Sequence, residues 1–600
     1  MKSLTLSQKV LLVLFFGLVF LYSFNQIANS DTFYDLKTGQ YILDNFNVPT
    51  HDIFSLPAYG ADWVPHEWLA QIIFYSVYAV SGFFGLIVFC ALLGVLTYFI
   101  LWRLAFKKGA NFHLSLLILF ILSYLTLELW VPRPQIFSYL SFAILIYFLE
   151  NYRDKPDKSR TFQHGINSAE SISLISNRSN GRIAGYFGKV RDKKYLIGSA
   201  LTIWFWANTN ASFVLGLVIM VFYLFSEAIG SRWREWSGKN LSSVDIKNLG
   251  IAAAGSVMLG VFATPSGYHS LFYSFYVQEA ANYLGVLEWK PITIFLYKVQ
   301  TQIFVAMIFL TDAFLAWWFF FRKESRDMTF FGLVFGVSLL PFISIRHVGF
   351  WPLAIFVPAA MSLSVVLKNF LARFSDKAFG IFLLVIGIVF ISGRLLWIPK
   401  SLINEKIIPV KAVDFIKENG IRGPLFNLYN EGGYLLFRLW PEDKVFIDGR
   451  SEVYRGQPII EFFTIFGLHP GWEKLTDEKY RLNYFLLDSY YYPTVRKFIE
   501  PLTRELLKKN FRLVYWDDLT IILVRDTPES KGIIEKYGLK YINPFLEPSD
   551  IAVKENKVAA REIQSLLDRF PQSLIIQDYT NRFLEAYSEV KFAPPSNLTN

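Results

Sequence analysis

The segment 28–68 is short of cations and rich in side chains that can take part in acid–base or metal chemistry. Its acids are Asp31, Asp35, Asp44, Asp52, Asp62 and Glu67. If the start of the segment is a helix, Asp31 and Asp35 share one face, with Lys37 close by. A simpler interpretation stays open, in which Asp31 lies in the first turn of a helix capped at Ser30 and the two acids form a solvated pair.

A second cluster follows in the string 62–68, which reads Asp-Trp-Val-Pro-His-Glu-Trp. Aromatic residues at a membrane surface, with an acid at a helix start, would explain this string. The alternative is a divalent-ion site or a surface on which a sugar stacks. His66 and Glu67 alone are too few ligands for a metal, because a site needs three or more. Asp31, His66 and Glu67 together would be enough for Mg²⁺ or Mn²⁺.

Further polar residues interrupt the ends of apolar runs later in the chain. They are Arg133, Asn208, Asn210, Glu288, Arg346 and His347. A single Arg at the end of a membrane helix is usually an anchor whose long side chain reaches the interface. Several acids and bases at one membrane face also suit a lipid phosphate, because the planar Arg fork can bind phosphate through two hydrogen bonds.

The composition indicates which elements must position these residues. Hydrophobic side chains make up 53% of the 600 residues and charged ones 18%, and the mean hydropathy is +0.34. Soluble domains are about a quarter charged, so the chain is too apolar to be a string of soluble domains. A disulfide framework and a cysteine-based metal site are excluded as well, because Cys90 is the single cysteine.

The apolar runs predict eleven membrane-spanning helices. They are 9–27, 83–102, 112–130, 135–150, 195–207, 211–229, 247–263, 301–321, 328–344, 348–367 and 379–398. A span needs about 20 mostly apolar residues. The apolar stretch 69–80 is shorter and ends at Ser81-Gly82, so we interpret it as a helix that lies in the membrane interface. We interpret 9–27 as a retained first span rather than a cleaved signal peptide.

The distribution of basic residues predicts the orientation of the chain. Lys and Arg crowd alternate loops, above all the polar segment 152–193, and are sparse in the loops between. Basic loops face the cytoplasm, which places the N-terminus inside and residues from about 400 onward outside. The net charge of +10 is therefore mainly a topology signal and not a sign of nucleic-acid binding.

The sequence after residue 400 changes character and predicts a small α/β domain. Apolar runs shorten to strand length, and helical patterns lie between them. The predicted strands are 424–429, 444–447, 484–488, 511–516 and 520–524, the last two joined by a turn at Asp517-Asp518. We therefore divide the chain into a transmembrane domain (1–399), an α/β domain (400–545) and a helical tail (546–600). Within the first, 28–68 is an outer loop and 152–193 a cytoplasmic loop.

Several strings together resemble the bacterial GT-C-type membrane glycosyltransferases over roughly residues 20–525. In the first outer loop they are 31–39 (Asp-Thr-Phe-Tyr-Asp-Leu-Lys-Thr-Gly), 49–55 and 63–69. Downstream they are 133–135, 206–210, 264–268, 288–289, 346–347, 427–435 and Ile447-Asp448-Gly449-Arg450. The resemblance is to a largely uncharacterised branch of this superfamily. Protein mannosyltransferases and the lipid A aminoarabinose transferase are more distantly similar.

The resemblance implies a GT-C fold and an enzyme at the outer face of the bacterial inner membrane. Such enzymes take a sugar from a polyprenyl-phosphate carrier and transfer it, with inversion, to a lipid, glycan or protein acceptor. Asp31 occupies the position of the general base. Binding of the donor phosphate or substrate would fall to Arg133, Arg346, His347, Lys37, Asn208, Asn210 and Glu288, with Asp35, His66 and Glu67 as possible support. Some GT-C enzymes use a divalent metal and others do not, and many members of this branch carry His where this chain has Asp35.

Two other functions are compatible with the sequence. A transporter or lipid flippase should show charges at mid-membrane depth, and Asp312 is the clearest acid within a span. A non-catalytic envelope assembly protein would use residues 400–600 as its binding module. No glycine-rich phosphate loop follows a strand, which fits a lipid-linked donor better than a nucleotide sugar.

Overall fold

A computed structural model gives the fold of the chain. It describes residues 4–154, 180–232, 241, 243–273, 277–278, 284–322, 327–373, 375–396, 401–489 and 493–592. The chain divides into two compact units. One comprises residues 1–25 and 65–400, and the other comprises residues 26–64 and 401–600. Residues 28–64 of the predicted outer loop therefore fold as one unit with the C-terminal region.

The first unit is helical. Its helices are Leu6–Ser23, Trp68–Lys107, Phe112–Leu125, Gln135–Arg153, Asn180–Thr209, Phe213–Arg232, Ser243–Phe262, Val299–Phe321, Met328–Ser338, Leu340–Ile343, Phe350–Val366, Lys368–Leu371 and Asp376–Leu395. Each predicted span overlaps one or two of these helices. Among the described residues, seven helices are long and apolar enough to cross a membrane, fewer than the eleven predicted spans. The chain is a multi-pass membrane protein.

Several predicted spans differ from the helices in length or composition. Phe112–Leu125 and Met328–Ile343 are apolar but too short to cross unaided. Gln135–Arg153 ends in charged residues. The predicted loop 152–193 lies mostly outside the described residues, and its last part, from Asn180, is the beginning of the helix Asn180–Thr209.

The break between the predicted interfacial helix and the second predicted span occurs at Gly82. The chain is helical before and after Gly82 within Trp68–Lys107, but Gly82 itself is not. Its φ of 61° lies in the left-handed region that favours glycine. The Ser81-Gly82 punctuation therefore marks a real change of helix direction. Whether residues 69–80 lie in the membrane interface stays a prediction.

A buried charged network joins the ends of several helices of the first unit. The Arg153 guanidinium donates to Glu150 and Glu227, both at 2.6 Å, and to Asp327 at 2.7 Å. Lys108 Nζ lies 2.7 Å from Glu150 Oε2. Arg153, Glu150 and Glu227 are buried, and ion pairs there are retained only when such hydrogen bonds satisfy them.

The second unit is built on a four-stranded mixed sheet. Its strands are β1 (Leu425–Asn427), β2 (Tyr484–Asp488), β3 (Phe511–Trp516) and β4 (Thr520–Arg525), in the order β1-β2-β4-β3. β1 pairs parallel with β2, and β4 pairs antiparallel with both β2 and β3. Asp517 makes the predicted turn, because its Oδ1 accepts from the backbone N–H groups of Leu519 and Thr520.

Helices cover this sheet and continue into the C-terminal tail. They are Asp31–Asn45, Val410–Glu418, Tyr429–Leu439, Gln457–Phe466, Trp472–Lys474, Pro493–Lys508, Lys531–Tyr537, Asn556–Arg569 and Leu574–Ala586. The last two lie within residues 546–600, the predicted tail. Tail residues Phe570 and Tyr579 pack edge-on against Tyr515 and Trp516 of β3.

The predicted strand 444–447 is wrong, because this segment pairs with a side chain and a loop rather than with the sheet. Phe446 N–H donates to Asn427 Oδ1 at 2.8 Å, and Asn427 Nδ2 donates to the Ile447 carbonyl at 2.7 Å. Leu56 N–H donates to the Val445 carbonyl at 2.8 Å. The segment is thus extended and buried but lies outside the four-stranded sheet.

Candidate functional site

Asp31 is the first residue of the helix Asp31–Asn45 and is half-buried. The preceding Ser30 occupies the predicted N-cap position, but its side chain makes no cap hydrogen bond. Its hydroxyl instead accepts from Tyr434 N–H at 3.1 Å. Asn29 Oδ1 accepts from Asp31 N–H at 2.7 Å, so Asn29 satisfies one of the free donors that begin every helix.

The Asp31 carboxylate lies directly against Gly449. A Cβ built on Gly449 would overlap Asp31 Oδ1, and it would also crowd Tyr34. Tyr429 Oη donates to the Gly449 carbonyl at 3.0 Å. Burial, followed by the charge of Asp31, raises the pKa of Tyr429, so its hydroxyl remains a neutral donor.

The other two predicted residues of this helix have different surroundings. Asp35 is buried, whereas Lys37 is half-buried with Nζ 5.7 Å from the ring centres of both Phe437 and Trp440. Burial lowers the pKa of Lys37. The predicted substrate-binding role of Lys37 therefore falls on an ammonium that already contacts two aromatic faces.

A buried ionic cluster fixes the turn that contains Gly449. Arg450 donates to Asp448 through Nε at 2.9 Å and through Nη2 at 2.6 Å, and its Nη1 donates to Asp52 at 2.6 Å. The guanidinium also lies 4.6 Å from the Trp63 ring centre and 5.1 Å from that of Phe54. Burial alone would lower the pKa of Arg450, but the two carboxylates raise it well above its ordinary value.

Sequence reasoning missed this cluster. Asp52 is one of the acids of the outer loop, and Asp448 and Arg450 lie in the string 447–450, but neither residue type nor spacing gives any of them a role. The available signal was that the acidic loop and the Asp-Gly-Arg string occur together in one family pattern.

The helical unit gathers a second group of predicted residues around Glu67. Glu67 Oε1 accepts from Asn210 Nδ2 at 2.6 Å and lies 3.2 Å from His66 Nε2. Trp68 Nε1 donates to Asn208 Oδ1 at 2.8 Å. Burial would raise the pKa of Glu67, but His66, followed by the charges of Arg346 and Arg133, holds it below its ordinary value. Glu67 is therefore a buried, ionised carboxylate.

The remaining predicted residues form a neighbouring set in the same unit. Arg133 donates twice to Glu288, at 2.7 and 3.0 Å. Burial opposes ionisation of Glu288, but Arg133 lowers its pKa to about 2. The Arg346 guanidinium lies 5.0 Å from the Trp289 ring centre, and His347 follows it in a turn of 3₁₀ helix, Ile345–His347.

The two Arg side chains therefore differ. The fork of Arg133 is occupied by a carboxylate, whereas within the described part of the chain Arg346 makes no hydrogen bond or ion pair. Stacking on Trp289 leaves the edge of the Arg346 guanidinium, which carries its donors, able to face an anion.

The predicted metal ligands do not lie in one unit. Asp31 belongs to residues 26–64, and His66 and Glu67 belong to the helical unit. Over the described ranges, no group of three or more His, Cys, Asp or Glu side chains is arranged to hold a metal ion. His66 and Glu67 instead face each other, and Asn210 occupies Glu67 Oε1. A divalent metal stays a prediction.

Comparison with solved structures identifies the fold. The Archaeoglobus fulgidus oligosaccharyltransferase, tethered to an acceptor peptide containing the NVT sequon, superposes with a TM-score of 0.56 at 12% identity. The match covers 98% of this chain and 87% of that one. The same enzyme in its apo form gives a TM-score of 0.57 at 10% identity, with the same coverage. This chain has a GT-C-like fold.

The fold that the motifs predict is thereby confirmed: a polytopic helical protein with a C-terminal region built on a small mixed sheet. ArnT from Cupriavidus metallidurans bound to undecaprenyl phosphate also matches, with a TM-score of 0.45 at 11% identity over 87% of this chain and 98% of that one. No protein-family model and no curated protein matches the sequence.

Proposed function

We propose that the chain is a membrane glycosyltransferase that moves a sugar from a polyprenyl-phosphate carrier to an acceptor, with Asp31 as general base. The single observation that carries this proposal is the placement of Asp31. The half-buried Asp31 is the first residue of its helix, and its carboxylate lies against Gly449, which has no side chain. The neutral hydroxyl of Tyr429 lies nearby. The GT-C-like fold and the motif resemblance support the same assignment.

The chemistry asked of Asp31 is proton transfer. The acceptor oxygen or nitrogen attacks the anomeric carbon of the sugar and passes its proton to the Asp31 carboxylate. The bond from the anomeric carbon to the phosphate oxygen breaks, its electron pair leaves with the polyprenyl phosphate, and the anomeric configuration inverts. A positioned base contributes about 10²–10⁴-fold to such a reaction.

The phosphate that leaves carries negative charge, and we assign its binding to Arg346 rather than Arg133. The fork of Arg133 is paired with Glu288, whereas within the described residues Arg346 makes no hydrogen bond or ion pair with a carboxylate. A guanidinium held by stacking keeps its donors for phosphate oxygens, where charge-assisted hydrogen bonds are about twice as strong as neutral ones. His347, Asn208 and Asn210 are the other candidates for substrate binding in this unit.

The setting of the reaction is part of the proposal. The positive-inside pattern supports a cytoplasmic N-terminus, with the second unit outside the bacterial inner membrane. The acceptor is a lipid, a glycan or a protein. In the oligosaccharyltransferase that shares the fold, the structure holds an acceptor peptide.

The test is donor turnover by the purified full chain in nanodiscs. Wild type and Asp31→Asn are incubated with a panel of polyprenyl-phosphate sugars and a membrane-lipid extract, with and without EDTA, and released polyprenyl phosphate is measured by mass spectrometry. Asp44→Asn is the matched control, because Asp44 is an exposed acid of the same helix. We expect release by wild type and Asp44→Asn and a loss of at least about 10²-fold in Asp31→Asn.

Other outcomes favour the alternatives. Equal release by all three proteins would keep the transferase but remove Asp31 from its role. Lipid or solute movement in proteoliposomes without an acceptor would favour a flippase or transporter. Against that alternative, the mid-span Asp312 accepts a hydrogen bond from Ser338 of the neighbouring helix at 3.0 Å. Loss of function on deletion of 400–600, with Asp31 dispensable, would favour an assembly protein.

A further inference from the structure

The turn Asp448-Gly449-Arg450 is held on both sides of its glycine. Arg450 donates to Asp448, two residues before it, and to Asp52 of the outer loop, and all three residues are buried. On the other side, Tyr429 Oη donates to the Gly449 carbonyl. A buried guanidinium with two carboxylates and a fixed carbonyl leave the turn little freedom to shift.

Three of the closely packed glycines in this unit, Gly432, Gly433 and Gly449, differ in what they face. A Cβ on Gly432 would meet the backbone carbonyl of Ile447, and a Cβ on Gly433 would meet the backbone carbonyl of Ser30. A Cβ on Gly449 would instead meet the side-chain carboxylate of Asp31. Gly432 and Gly433 allow their helix to pack closely against backbone atoms, whereas Gly449 leaves room for the Asp31 carboxylate.

We propose that Gly449 is a positioning residue for the base: its missing side chain sets the angle at which the Asp31 carboxylate meets the acceptor. This inference rests on the proposed function, because it assigns a kinetic role to a contact of Asp31. The ion pair between Arg450 and Asp52 supports this role, because it fixes the turn that contains Gly449.

The consequence for catalysis follows from geometry. A general base must approach the proton it accepts to within about 2.6–3.2 Å. A misplacement of about 1 Å can cost on the order of 10²-fold in rate. Gly449 does not have a positive φ, so alanine fits its backbone without strain. The added methyl group would therefore rotate or push a flexible side chain rather than break the fold.

The experiment compares Gly449→Ala with Gly532→Ala. Gly532 lies in the helix Lys531–Tyr537, and a Cβ there meets nothing within 4 Å. We expect Gly449→Ala to lower kcat for polyprenyl phosphate release by about 10- to 100-fold, with the donor KM within about two-fold and the melting temperature equal to that of Gly532→Ala. The double variant Asp31→Asn/Gly449→Ala should be no slower than Asp31→Asn, because the methyl group overlaps the Asp31 side chain and meets Tyr34 only at the edge of its ring.

Each departure from these results has a definite meaning. Additive losses in the double variant, or a kcat for Gly449→Ala equal to wild type, would overturn the positioning role. Cryo-EM maps give a readout that needs no turnover. The Asp31 carboxylate should move in Gly449→Ala while the Gly449 backbone stays in place, and an unmoved carboxylate would also overturn the inference. If wild type releases no polyprenyl phosphate from any donor, the proposed function fails, and the maps still decide whether Gly449 positions Asp31.

Discussion

Arg450 and Asp52 are 398 residues apart in the sequence, yet the Arg450 guanidinium donates to the Asp52 carboxylate at 2.6 Å. Both side chains are buried, and Asp448 takes the other edge of the guanidinium. The contact holds the acidic loop and the C-terminal region together as one folded unit. The base candidate Asp31 and the turn that it touches both belong to this unit.

Removing the guanidinium should therefore destabilise this unit strongly. Arg450→Met leaves Asp52 and Asp448 buried without a counter-charge, and breaking such a pair costs about 3–5 kcal/mol. Thermal unfolding of the full chain in nanodiscs, followed by circular dichroism, should show a large fall in the midpoint. Arg561→Met is the matched control, because Arg561 is exposed. Equal midpoints for the two variants would contradict a structural role for the Arg450–Asp52 ion pair.

Removal of Arg346 and removal of Arg133 should change the donor KM to different extents. Arg346→Ala removes a guanidinium that makes no ion pair in the described residues, and we expect the donor KM to rise by about ten-fold or more, the scale of one or two charge-assisted hydrogen bonds to phosphate. Initial rates of polyprenyl phosphate release against donor concentration measure this change.

The control for Arg346→Ala is removal of the Arg133–Glu288 ion pair. The double variant Arg133→Ala/Glu288→Ala removes both partners, so no unpaired charge is left behind. We expect the donor KM of this variant to stay within about three-fold of wild type. A rise equal to that of Arg346→Ala would show that Arg133 also binds the donor and that its pairing with Glu288 opens when the donor arrives.

Much of the fold could be predicted from local patterns. Apolar runs indicate the helices of the helical unit, Ser81-Gly82 indicates a break, and two short apolar runs joined at Asp517-Asp518 indicate the β3–β4 hairpin. The strand predicted at 444–447 failed for a reason that no local pattern contains. Its backbone groups bond to the Asn427 side chain and to Leu56, and such partners are known only once the chain has folded.

The candidate site could likewise be predicted only in part from the sequence. Residue types and positions indicate the carboxylates and guanidinium groups, because acids and bases together at one predicted membrane face suit a lipid phosphate. The pairings were not predictable from spacing. Arg133 lies 155 residues from Glu288 in the sequence. Gly449 contacts Asp31, and its turn is fixed by partners from distant parts of the chain, Asp52 and Tyr429. Long-range contacts of this kind depend on the whole fold.

The helix Tyr429–Leu439 should not tolerate a methyl group on its buried side. Gly432→Ala would push a Cβ into the Ile447 carbonyl and the Asp448 backbone, neither of which can rotate away. Overpacking of this kind costs about 1–3 kcal/mol or more. We expect a lower unfolding midpoint than that of Gly449→Ala, whose methyl group meets a movable side chain. Equal midpoints for the two variants would show that both contacts relax equally well.

A buried pair of carboxyl groups, Glu431 and Asp488, should make the second unit lose stability as the pH rises. Burial, and then the charge of Asp488, raises the pKa of Glu431 well above its ordinary value, and burial raises the pKa of Asp488 to about 6. Because each group is buried and the charge of Asp488 disfavours ionisation of Glu431, the folded chain favours a state in which at least one of the two carboxyl groups is protonated. A raised folded-state pKa means that the stabilising form is fully present below the unfolded-state values near 4 and is lost as the pH rises through 6 and beyond.

Glu431→Gln tests this dependence, because the amide keeps the shape of the acid and donates a hydrogen bond at every pH. We expect the unfolding midpoint of wild type to fall between pH 5 and pH 8 and that of Glu431→Gln to fall less, so that the variant becomes the more stable protein at pH 8. Glu405→Gln, at an exposed site, should follow the wild-type curve. Parallel curves for wild type and Glu431→Gln would mean that the two carboxyl groups do not share a proton in the folded chain.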